Sequence, residues 1–182
     1  GQTPLLLAGR NNHSRIVEIL QEHGASYSNA LILAAKKGNT TAVSWILGLG
    51  VSSNSANEDG TTALEFAAAN GDTAMMEVLI NRGADVNLVR NNRLAALHVA
   101  ILEGSASAVE FLISAGADIN LRARGGQTAL HIAAQEGHLY AITSLIDHGA
   151  DVDARDDAGR TPLHNAIHSP SATSLLVDHG AN

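Results

Sequence analysis

Gly126-Gln127-Thr128-Ala129-Leu130-His131 returns 33 residues later as Gly159-Arg160-Thr161-Pro162-Leu163-His164. The same step towards the N-terminus meets Ala95-Ala96-Leu97-His98, then Thr62-Ala63-Leu64-Glu65, then Asn29-Ala30-Leu31-Ile32. Two glycine series keep the spacing: Gly50, Gly83, Gly116 and Gly149, and Gly38, Gly71, Gly104 and Gly137. Three independent marks at one period make the chain a tandem array. A period of about 20–50 residues belongs to stacked repeat architectures.

Each mark has a physical reason. Thr62, Thr128 and Thr161 stand where a helix N-cap is expected, because a hydroxyl can accept from an otherwise unpaired backbone N–H. Asn29 is expected to do the same with its amide oxygen. Pro4 and Pro162 follow as first helical residues, where a missing N–H costs nothing. The short helix then ends at Gly38, Gly71, Gly104 or Gly137, which supplies the left-handed residue after a helix, and Asn12 takes that place in the first unit. A second helix carries an apolar face, as in Val109, Leu112 and Ile113 or Ile142, Leu145 and Ile146, and stops at the other glycine series. The Ala-Asp-Val-Asp-Ala type of segment after it, closed by a Gly-containing turn, predicts a β-hairpin-like finger.

Composition agrees with thin, closely spaced elements. Of 182 residues 45% are apolar but only 3% aromatic, so small and aliphatic side chains must fill the interior. The pairs Ala34-Ala35, Ala67-Ala68 and Ala133-Ala134 would let first helices of neighbouring units approach closely. Without cysteine there is no disulfide framework, thiolate metal site or Cys nucleophile, which fits a reducing, intracellular setting, and a cytoplasmic location is expected. With 11 basic against 18 acidic residues the net charge is −7, which opposes general attraction to nucleic acid or to an anionic membrane. No apolar run is long enough to span a bilayer. The opening Gly1-Gln2-Thr3-Pro4 is turn chemistry rather than the start of a signal peptide.

Thr161-Pro162-Leu163-His164, Gly137-His138 and Gly149-Ala150-Asp151-Val152-Asp153 resemble the ankyrin-repeat signature, and the resemblance covers essentially the whole chain. It implies an all-α fold, an α-solenoid of stacked helix-turn-helix units with β-hairpin-like fingers. Six units are expected, at about 1–25, 26–51, 52–84, 85–117, 118–150 and 151–182, forming a single domain. Helical pairs should start near 3, 29, 62, 95, 128 and 161.

Departures from the pattern carry local information. The step from Thr3 to Asn29 is 26, and Gly24 to Asn29 spans five residues where later units take twelve. Seven finger residues are therefore missing, Ser26-Tyr27-Ser28 reads as a short connector, and a gap is expected in the row of fingers. Unit four has Arg93 and Ala95 in place of the turn glycine and the cap threonine, so Asn91-Asn92 should give its finger a different shape. Unit six is two residues short between its helices, around Ser169-Pro170-Ser171. Gly1 falls inside a finger and Asn182 follows a Gly-Ala, so the chain reads as a piece of a longer protein.

Candidate chemistry is mostly absorbed by the repeat. His98, His131 and His164 hold one repeat position, and stacked helices lie roughly 8–10 Å apart whereas zinc needs nitrogens at about 2.0–2.1 Å. In the family that histidine hydrogen-bonds between neighbouring loops, which the resemblance carries over to these three. Asp85, Asp118 and Asp151 should brace their fingers. No Ser-His-Asp set or phosphate-binding glycine loop stands out, so no enzyme, cofactor or metal is expected. Trp45 and Phe111 share a second-helix position and are expected to pack between repeats. Asn54, Asn87 and Asn120 occupy the Asp-Val-Asn position that asparaginyl hydroxylases modify in some ankyrin-like proteins. The alternative is that they bridge finger backbones, and it is the stronger reading.

Arginine is the sharpest asymmetry. Six of nine fall in three consecutive fingers: Arg90 and Arg93, Arg122 and Arg124, Arg155 and Arg160. One reading is a solvated loop edge balanced by Asp153, Asp156 and Asp157. The other is a strip for carboxylates, which guanidinium groups bind through paired N–H donors. The resemblance implies non-catalytic protein binding on a concave face formed by fingers and first helices. The contact residues expected there are Arg90, Asn92, Arg93, Arg122, Arg124, Arg155 and Arg160, with Leu94 and Leu102 as apolar contacts, and an acidic protein segment as partner. Two other roles stay open: a sensor or substrate-recruiting arm of a larger enzyme or signalling protein, and a structural spacer with no specific partner.

Overall fold

The computed structural model describes Pro4, residues 26–90 and residues 94–182. Ten α-helices run through the described part: α1 (Tyr27–Lys36), α2 (Thr40–Gly48), α3 (Ala63–Ala69), α4 (Thr73–Asn81), α5 (Ala96–Leu102), α6 (Ala106–Ser114), α7 (Ala129–Glu136), α8 (Leu139–Asp147), α9 (Pro162–Asn165) and α10 (Pro170–Asp178). The chain clusters into two compact units, Gly1–Asp85 and Val86–Asn182.

In the first unit α1 packs on α2 and α3, and α4 packs on α2 and α3. In the second, α5, α7 and α9 stack as first helices, while α6, α8 and α10 stack as second helices. Ala34, Ala35, Ala67, Ala68, Ala133 and Ala134 are buried, the small side chains that close packing needs. Val109, Leu112, Ile142 and Leu145 are buried on the second helices, and Ile146 is half-buried.

Both glycine series are left-handed. Gly38, Gly71, Gly104 and Gly137 have φ between +66° and +71°, and Gly50, Gly83, Gly116 and Gly149 have φ between +85° and +89°. The caps are more varied than the repeat suggests. Thr62 Oγ1 accepts from Glu65 N–H at 3.3 Å and Glu65 Oε2 accepts from Thr62 N–H at 2.9 Å, a reciprocal capping box. At Thr128 and Thr161 the hydroxyl instead lies 2.9 Å from Nδ1 of His131 and His164. That nitrogen also accepts the threonine's own N–H, so the hydroxyl donates rather than accepts. Ala95 has no side chain to offer, and His98 Nδ1 accepts its N–H at 3.1 Å.

The start of α1 differs from expectation. Its N-cap is Ser26, whose Oγ accepts from Ser28 N–H at 3.1 Å, and Asn29 lies inside the helix. Tyr27 and Ser28 are helical rather than a connector, because these residues have no finger to build and can extend the helix. Tyr27 then meets Trp45 edge-on at 6.1 Å, so the Trp45 ring packs against the first helix of its own pair. The expected gap in the fingers lies partly outside the described residues, as do Asn91 and Asn92. In the shortened last unit the first helix closes early, through a 3₁₀ turn at Ala166–His168, before Ser169 caps α10.

The described fingers are tight hairpin-like loops without extended strands. Among the described residues no strand forms, and the single β-bridge joins Ala56 to Thr62. Three of the loops are closed by a backbone bond: Asn57 N–H to Thr61 O, Ala123 N–H to Gln127 O and Asp156 N–H to Arg160 O. Neighbouring loops are tied by side-chain amides instead of a ladder. Asn54 Oδ1 accepts from Asp85 N–H at 2.9 Å and its Nδ2 donates to Gly83 O at 3.2 Å. Asn87 repeats this with Asp118 N–H at 2.7 Å and Gly116 O at 3.3 Å, and Asn120 Oδ1 accepts from Asp151 N–H at 3.1 Å. The bridging role of these asparagines is thus present in the structure.

A Cβ on Gly104 would sit 3.0 Å from His138 Cε1, whereas one on Gly116 would meet open space. Gly116→Ala should therefore cost the left-handed backbone alone, about 1–2 kcal/mol. Gly104→Ala should lose about 1 kcal/mol more by displacing the imidazole. Urea unfolding of the two variants checks this order.

Candidate functional site

Two fingers of the second unit, residues 118–127 and 151–160, are joined directly. Asp157 N–H donates to Gly125 O at 2.9 Å, and Arg122 Nη2 donates to Arg155 O at 2.8 Å. Arg122 also faces Asp157 at 3.5 Å, with both side chains more than half exposed, a pair that contributes little to stability. Gly126 leaves the space for it, since a Cβ there would run into Asp157 and Arg122. Arg155 Nη1 folds back on Gly159 O at 3.0 Å.

Arg160 is held more firmly. Its Nε and Nη2 both reach Asp156 Oδ2, at 2.9 and 2.8 Å, and the Asp156 side chain is buried. Burial alone would raise the Asp156 carboxyl. Hydrogen bonds from Arg160 and Ala158 outweigh it and hold the group below the usual carboxylate range. Arg124, by contrast, is exposed on the 3₁₀ turn Arg124–Gly126 and makes no hydrogen bond or ion pair with any described residue.

The other expected contact residues are scattered. Arg90 is exposed and Leu94 half-buried. Leu102 ends α5 with 39% of its surface open. Asn92 and Arg93 lie outside the described residues. The structure therefore brings Arg122, Arg155 and Arg160 together around two linked fingers, and it commits part of their bonding to the fold.

The repeat-position histidines are bonded through both nitrogens where a finger follows. His98 Nε2 meets Leu121 O at 3.1 Å and His131 Nε2 meets Arg160 O at 2.9 Å, while each Nδ1 accepts a backbone N–H. Nδ1 must then be unprotonated and Nε2 must carry the proton, which is the neutral imidazole. His164 keeps its bonds to Thr161 and is exposed. Asp118 and Asp151 brace their loops by accepting from the N–H groups of Asn120 and Asp153.

In the first unit a shallow groove of about 330 Å³ runs between α1, the loop at Asn57–Asp59 and Phe66. Lys36 lies in it, its Nζ 5.8 Å from the centre of the Phe66 ring, a cation–π contact.

A family model for ankyrin repeats in three copies matches residues 31–123 and 97–182, and a single ankyrin-repeat model matches residues 1–30. The chain belongs to the ankyrin-repeat family. No curated protein matches it as a relative. Ankyrin repeats are generally non-catalytic protein–protein interaction modules. Among the described residues no helix is long and apolar enough to cross a membrane.

One exposed side chain escaped the reading of this ankyrin array as a sequence. Tyr140 stands on α8 with 52% of its surface open. The signal was available, because the residues one, two and three periods before it are Ser107, Ala74 and Thr41, all small.

Burial lowers the basicity of His98 and His131 below the usual histidine value of 6.5, with the carbonyl bonds and nearby Asp118 or Asp156 opposing the shift. As pH falls, the unfolded chain takes up these protons first, so stability is full above about 6.5 and declines below it. The urea midpoint should therefore drop between pH 7.5 and 5. His98→Gln with His131→Gln should flatten that slope while losing about 1–3 kcal/mol per site at pH 7.5.

Proposed function

We propose that this array binds an acidic protein segment along the fingers of units 85–117, 118–150 and 151–182, without catalysing a reaction. The observation that carries the reading is the placement of cations. All six Arg and Lys residues after Val86 are arginines between helix pairs, and none lies in α5 to α10. Arg122 and Arg160 keep about half of their side-chain surface open after bonding to the chain, and Arg124 is uncommitted among the described residues. A guanidinium that already donates to one partner retains further N–H donors for a carboxylate. Leu102 adds an apolar contact at the end of a first helix. The net charge of −7 disfavours nucleic acid as the polyanion.

A fluorescein-labelled Asp/Glu-rich peptide, titrated with the protein in low salt, tests the proposal. Arg124→Glu should weaken binding about threefold to tenfold, and Arg124→Glu with Arg155→Glu should weaken it further, with steep salt dependence. Arg160→Glu would confound folding with binding, because it would strand buried Asp156. Equal binding by wild type and the double variant, with unchanged circular dichroism, sinks the acidic-partner reading.

A further inference from the structure

The second helices of the last three repeats have the opposite character to the fingers. They carry Glu110 on α6, Asp147 on α8 and Asp178 on α10, and no Lys or Arg. No lysine or arginine among the described residues pairs with any of the three. Tyr140 and Leu139 open α8 in the middle of this surface, 52% and 42% exposed, in a chain with very few aromatics.

Tyr140 stands between two clefts. One, of about 220 Å³, lies towards Ile101, Gly104, Val109 and His138. The other, of about 550 Å³, runs between α8 and α10 and is lined by Thr143, Leu175 and Asp178 among others. The ring does not swing freely over them. Tyr140 Oη donates to Glu110 Oε2 at 2.7 Å, and Ser144 Oγ donates to the same oxygen at 3.1 Å. The Tyr140 bond, with help from Ser144, holds the Glu110 carboxyl below its usual range, so it stays anionic. A large, oriented, half-exposed aromatic between apolar clefts has the build of an interface anchor, since little side-chain freedom remains to be lost on binding.

We propose that the α6–α8–α10 face is a second docking surface, which takes a protein segment carrying an apolar side chain flanked by Lys or Arg. The apolar group enters the α8–α10 cleft against Tyr140, Leu139 and Leu175. The cations meet Asp178 and Glu110. Charge complementarity selects this occupant: an acidic segment or an anionic membrane would face carboxylates and no Lys or Arg on these helices. The surface is separate from the arginine fingers, so it stands or falls independently of the function proposed for them.

The test uses the full chain and three labelled peptides of equal length: Leu/Lys at amphipathic spacing, Leu/Glu at the same spacing, and Lys with no Leu. Fluorescence anisotropy should rank Leu/Lys first. Tyr140→Ser and the fully surface-directed Asp178→Asn should each weaken it about fivefold or more, whereas Arg124→Glu should not weaken it. Circular dichroism checks folding of each variant, and Asp178→Asn keeps the test decisive if Tyr140→Ser is unstable. Absence of Leu/Lys binding, or equal binding by wild type and Asp178→Asn, overturns the proposal. So does sedimentation showing that the chain self-associates through this face, because the occupant is then a second copy of the chain.

Discussion

Hydrogen bonds that leave one repeat and end on the next set the register in which the repeats of this molecule stack. A helix of seven to ten residues cannot persist alone, because nucleation is unfavourable and too few bonds follow it. Each pair must borrow stability from its neighbour. Apolar burial supplies most of that, through alanines that let helices approach. Directional bonds then set the register. Asn87 ties its own loop to Gly116 and Asp118, and His131 closes its helix start on Thr128 while reaching Arg160 of the next loop. The imidazole suits this because its two nitrogens lie on opposite edges of one rigid ring, one accepting and one donating.

The same economy governs charge. Burying Asp156 is tolerable only because Arg160 and two backbone N–H groups satisfy it, so Arg160 belongs partly to the fold. Arg122 donates to a carbonyl of the neighbouring loop and Arg155 to one of its own, and both leave further donors to solvent. Cations therefore collect at the loops of the second unit, where carbonyls and aspartates receive them, while the carboxylates on its second helices pair with no Lys or Arg among the described residues. Opposite charge on two faces of one unit gives it two different kinds of surface.

Legibility varied with how local the cause was. The left-handed glycines and the shortening of the last unit between its helices were readable because φ preference and residue spacing act within a few residues. The cap of α1 was not. Asn29 holds the repeat position, yet Ser26 begins the helix because the deletion removed the finger that would have stopped it. Thr128 looked like an N–H acceptor, and only the imidazole beside it makes its hydroxyl a donor. The finger arginines were identifiable as a group, but which donors remain open depends on loop carbonyls 33 residues away. Tyr140 was visible as a large residue in a column of small ones and was passed over, since an exposed aromatic acquires meaning only with the clefts beside it.

The sequence by itself determined the period and the family, because both follow from side-chain chemistry repeated at a fixed spacing, and through that resemblance it implied the all-α class and the structural place of His98, His131, Asn87 and Asn120. Tertiary structure alone decided how those residues are bonded, which arginines are spent on the chain, and where Tyr140 stands. Those outcomes depend on distances between residues a full repeat apart, and such distances exist only once the repeats have stacked.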